Sequence, residues 1–73
     1  MNNGSWKKWI KSLPQDAQVE LIERQLRVLP QFIMEETAKL PPQYNQKVVK
    51  NLEGKLKIIQ GLWSEILIAR HAQ

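Results

Sequence analysis

The sequence predicts an all-α protein: a short N-terminal helix followed by a long antiparallel helical hairpin, pairing with a second copy into a dimeric helical bundle. Three observations carry this expectation. Apolar residues recur at alternating steps of three and four along two long segments, which is the period of one helix face. No stretch alternates apolar and polar residues as a half-buried strand does. Between the two periodic segments stands one strong stop signal, Leu40-Pro41-Pro42.

The elements follow in order. Met1 to Gly4 reads as a polar, flexible start, and Ser5 suits the N-cap of a short helix ending near Ser12. Trp6, Trp9, Ile10 and Leu13 share one face of it, opposite Lys7, Lys8 and Lys11. Ser12-Leu13-Pro14-Gln15 has the spacing of a capping box with a proline in the first turn, so a second helix is expected to begin here. Asp16 and Glu20 suit the positive end of its dipole. Along it Val19, Ile22, Leu26, Leu29 and Ile33 keep one phase, to which Leu40 returns. That phase survives Pro30, and no capping residue stands beside this proline, so the sequence predicts a kinked continuous helix there. A third helix is expected from about Pro42 to Arg70, with Val49, Leu52, Leu56, Ile59, Trp63 and Ile66 as its seam.

Length and side-chain distribution then argue for association. Each long helix spans about 40 Å at 1.5 Å per residue, whereas a compact chain of 73 residues has a radius of gyration near 11 Å. The expected shape is a rod, and the expected domain is single, covering residues 1–73. Beyond its seam the third helix carries Gly54, Ile58, Gly61 and Ile68 as another stripe, with Leu62, Leu67 and Ala69 beside it. The second helix has a similar excess in Leu21, Val28 and Phe32. One hairpin and a two-turn helix have too little surface to cover both. Gly54, Ile58, Gly61, Leu62, Trp63, Ile66, Leu67 and Ile68, with Leu21, Val28 and Phe32, are therefore the expected interface, and a monomeric bundle broken at Pro30 is the competing form.

Composition narrows the function by exclusion. There is no cysteine and one histidine, His71, so one chain assembles neither a metal cluster of these ligands nor a nucleophile–histidine pair. The three glycines form no phosphate-cradling motif. Four of the seven acids precede a base by four residues, as Glu20–Arg24, Glu23–Arg27, Glu35–Lys39 and Glu53–Lys57, the arrangement of helix-surface ion pairs. We therefore expect no catalysis, no metal, no cofactor and no small-molecule substrate. No apolar run exceeds four residues, far from the roughly 20 that cross a bilayer, and the expected location is cytoplasmic.

Binding remains. The leading expectation is a protein–protein interaction module, such as a regulator, adaptor or inhibitory subunit, acting as a homodimer. A net charge of +4 supports a second reading, in which Lys7, Lys8, Lys11, Lys47 and Lys50 contact the phosphate backbone of a nucleic acid. A third lays Trp6, Trp9, Ile10 and Leu13 on a membrane surface. Docking of that face onto the hairpin is preferred over the membrane, because the helix is short and the core has few other aromatic residues.

Overall fold

The computed structural model describes residues 3–71, and they form three helices and no strand: α1 (Asn3–Lys11), α2 (Gln15–Thr37) and α3 (Gln46–His71). The expected flexible start falls partly outside this range, at Met1 and Asn2. Asn3 and Gly4 already belong to α1, so Ser5 lies inside the helix rather than capping it.

Ser12 ends α1 instead of opening α2. Its amide donates to the carbonyls of Lys8 and Trp9 at 3.1 Å each, and its hydroxyl donates to Trp9 at 2.6 Å. The expected capping box is therefore absent. Pro14 is the N-cap of α2, without a side-chain bond. Gln18 supplies the stitching that the sequence did not advertise: its Nε2 donates to the carbonyl of Leu13 at 2.7 Å and to that of Lys11 at 3.2 Å. Carbonyls left over at the end of α1 are thus tied to the first turn of α2.

Helix α2 runs unbroken through Pro30, as its apolar phase required. It stops at Thr37, three residues before Leu40. The residue ahead of a proline is driven from the helical region, and the chain unwinds before it reaches Pro41. Thr37 closes the last turn by donating its hydroxyl to Ile33 at 2.9 Å and Met34 at 3.0 Å. Leu40 is consequently 77% exposed rather than part of the seam.

Helix α3 opens at Gln46, not Pro42. Pro41 to Gln43 form a turn in which the Gln43 amide donates to the Leu40 carbonyl at 2.9 Å. Asn45 is the cap, its Oδ1 accepting the Lys47 amide at 3.0 Å. Asparagine is among the strongest N-cap residues, because its side chain accepts an orphan amide proton, which a proline side chain cannot do.

The core is assembled from all three helices. Ile10 of α1, Ile22 and Leu29 of α2, and Ile59, Leu62 and Ile66 of α3 form one buried cluster, with Trp6, Val19, Leu21, Leu26, Leu52, Leu56, Ile58 and Trp63 packed half-buried around it. Val49 is buried near the start of α3. The seams predicted on both long helices thus face inward, and α2 and α3 pack together. Among the described residues no buried residue is polar or charged. The particle is a rod, with extents of 50 × 22 × 16 Å and a radius of gyration of 14.1 Å.

Gly61 lies in the interior of α3, exposed, and a Cβ built there meets nothing within 4 Å. Glycine in a helix interior is worth about 1 kcal/mol less than alanine. Gly61→Ala is expected to raise the midpoint of thermal unfolding, measured by circular dichroism. A lowered midpoint would mean that this stripe needs a close approach to another backbone.

Candidate interaction surface

The stripe on α3 that the sequence assigns to a second copy is largely used by the chain itself. Each helical residue advances about 100°, so Lys55, Ile58, Leu62 and Glu65 lie along one arc of α3. Helix α1 sits on this arc: the Lys55 ammonium lies 5.7 Å from the centre of the Trp6 ring, and Lys11 Nζ lies 3.6 Å from a Glu65 carboxylate oxygen. Leu62 and Ile66 are core residues, and Ile58, Trp63 and Gly54 are half-buried. Leu62 and Ile66 are therefore removed from the expected interface, because a side chain already enclosed by its own fold has no surface to give a partner. Beyond the reach of α1, Gly61 and Leu67 are exposed and Ile68 is 68% exposed.

The membrane face is spent in the same way. Ile10 is fully buried, Trp6 packs on the cluster and Leu13 is half-buried; of the four, Trp9 alone is exposed. Ile10 has no route to a lipid surface without unfolding α1. No described helix is long and apolar enough to cross a membrane.

Helix α2 is different. Its excess stays open as a shallow groove lined by Leu13, Ala17, Leu21, Val28 and Phe32, with Glu20, Arg24 and Gln25 at its edges. On α2, Ala17, Leu21, Val28 and Phe32 step by four, seven and four residues, so they form a stripe beside the buried seam of Ile22 and Leu29, about 100° around the helix from it, and Leu13 of the preceding turn lies at its end. Phe32, at one end, is 47% exposed. Three of the predicted interface residues, Leu21, Val28 and Phe32, are brought together here. Leu13, assigned by the sequence to the α1 face, also lines this groove, and Ala17 is an addition that its spacing of four from both Leu13 and Leu21 could have signalled.

The charges at this groove are unsatisfied within the chain. Among the described residues none of the four expected i, i+4 pairs closes to 4 Å. The ion pairs formed are Lys11–Glu65 and Lys39–Glu36, the latter at 2.8 Å and one residue shorter in spacing than the expected Glu35–Lys39. Glu20 and Arg24 stand four residues apart at the groove with neither closed on the other.

The lysines read as a phosphate-binding set divide between two elements: Lys7, Lys8 and Lys11 on α1, Lys47 and Lys50 on the first turns of α3. All five are exposed. Lys11 faces the Glu65 carboxylate, which lowers its worth to a polyanion. Among the described residues no three histidine, cysteine or carboxylate side chains cluster as metal ligands. No family model, no curated protein and no solved structure matches the chain.

Proposed function

We propose that this protein is a non-catalytic helical interaction module whose α2 and α3 run antiparallel as a hairpin, and that two copies associate through the open face of α2. Two observations support the hairpin. Gln15, Asp16 and Val19, at the start of α2, share a recess with Ala69 and Arg70, at the end of α3. Helices of 23 and 26 residues are about 35 and 39 Å long, and they fit a rod of 50 Å only side by side.

The observation that carries the function is the groove itself. Along an open groove on α2, Leu13, Ala17, Leu21 and Val28 are half-buried and Phe32 is 47% exposed, whereas on α3 the arc from Lys55 to Glu65 is occupied by α1 and Gly61, Leu67 and Ile68 beyond it stay exposed. Surface leucine or valine standing singly needs no explanation, but an apolar stripe rimmed by charge marks an interaction face. A second copy is the occupant that satisfies it, since the same stripe presented twice is complementary to itself about a two-fold axis. As a small regulator, adaptor or inhibitory subunit, the dimer presents its remaining helix faces to a protein partner.

Sedimentation equilibrium over a concentration series tests this. The expected mass rises from 8.6 kDa toward twice that value as concentration increases. A mass that stays at one chain throughout removes the reading.

A further inference from the structure

We infer that the two copies meet with their α2 helices antiparallel, centred between Leu21 and Arg24, so that Glu20 of each lies beside Arg24 and Arg27 of the other. The inference rests on the pairing proposed above and adds its geometry. The order of residues along the groove supplies the argument.

In a parallel, in-register pair the central positions face their own copies, so Arg24 would oppose Arg24 at the middle of the seam, while Glu20, at the edge, would lie beside the partner's Gln25 and meet no cation. Reversing one helix staggers the two Arg24 side chains along the seam and brings Glu20 beside cations. Ala17 then lies against the partner's Val28, Leu21 beside the partner's Arg24, and Leu13 against the partner's Phe32, each layer occurring twice by symmetry. The smallest side chain of the groove thereby meets a branched one, and the largest meets the opposite end of the stripe. Glu20, exposed and unpaired within its own chain, gains two cations. Arg27 lies with Glu20 and Arg24 around a neighbouring recess on the same helix, so it is within reach of that carboxylate across the axis. The stem of Arg24 lies over Leu21 while its guanidinium remains at the edge.

Cross-linking tests the geometry, and the chain offers a clean background because it contains no cysteine. Ala17→Cys and Val28→Cys are prepared separately, each checked by far-ultraviolet circular dichroism and by sedimentation. They are then oxidised alone and as an equal mixture, and the products are resolved by mass spectrometry. A disulfide needs Cα atoms within about 7 Å, so only facing positions link. The expected product is a dimer joining one variant to the other, formed in the mixture and lost when either variant is oxidised alone. Each variant linking to itself would overturn the antiparallel geometry and leave pairing standing. Pairing by sedimentation with no linkage in any sample would also overturn it, by moving the interface off α2. If both variants and the unmodified chain sediment as single chains, the pairing itself fails.

Discussion

Phe32→Glu is expected to hold the protein as a monomer at concentrations where the unmodified chain pairs. Phe32 is half exposed in the single chain, so its own fold loses little when the ring is removed. In the proposed antiparallel pair the ring would be enclosed against the partner's Leu13, and a carboxylate there would be desolvated without a partner cation. An aromatic ring at the end of a seam costs less on truncation than a central one, but placing a charge there adds desolvation, and a total of about 1–2 kcal/mol corresponds to about a five- to thirtyfold weaker Kd. Met34→Glu is the control. Met34 is 71% exposed and lies outside the groove, so its replacement is expected to leave Kd within about twofold, since isolated surface changes are usually worth under about 0.5 kcal/mol. Sedimentation of the two variants side by side decides it: equal weakening by both would locate the contact somewhere other than the groove.

The second large effect is on folding. Ile59 has no exposed surface and stands in the cluster that all three helices share. Ile59→Ala removes three carbons and leaves a cavity, at a typical cost of about 2–5 kcal/mol. A chain of this length holds only about 4–11 kcal/mol in total, at the usual 0.05–0.15 kcal/mol per residue. Urea titration at one fixed protein concentration is expected to show the midpoint collapsing for Ile59→Ala and barely moving for Ile68→Ala. Fixing the concentration matters, because the proposed pairing would lend apparent stability to the folded form. Comparable losses from both substitutions would mean that Ile68 is as enclosed as Ile59.

The inward faces of the long helices were legible because they depend only on the helical repeat. Val19, Ile22, Leu29, Val49, Ile59 and Ile66 are covered as their spacing requires, and the phase continues through Pro30 without a break. Helix ends were less legible, because several residues competed for the same role. Ser12 could cap α2 forwards or close α1 backwards, and its hydroxyl went backwards. Pro42 and Asn45 both suited the start of α3, and the side chain able to accept an amide proton prevailed. Candidate surfaces were half legible. The sequence marked an apolar excess on both long helices but carried no record of which one α1 would lie against. That choice was made by contacts distant in sequence, Trp6 with Lys55 and Lys11 with Glu65, and it converted Leu62 from an expected partner contact into core. The unclosed Glu20 and Arg24 were invisible for the opposite reason, since their spacing alone favours an internal pair.

The interior holds only aliphatic and indole carbon, and this has a cost in uniqueness. Hydrocarbon meets hydrocarbon equally well after a slip of one turn, so α2 and α3 have no internal marker that distinguishes the right alignment from its neighbours. The marks that do set positions lie at one end of the rod: Ile10 of α1 is fully buried in the shared cluster, Lys11 of α1 pairs with Glu65 of α3, and Gln18 of α2 holds the carbonyls of Lys11 and Leu13. A nine-residue segment thus carries polar ties to both long helices that their own facing surfaces lack.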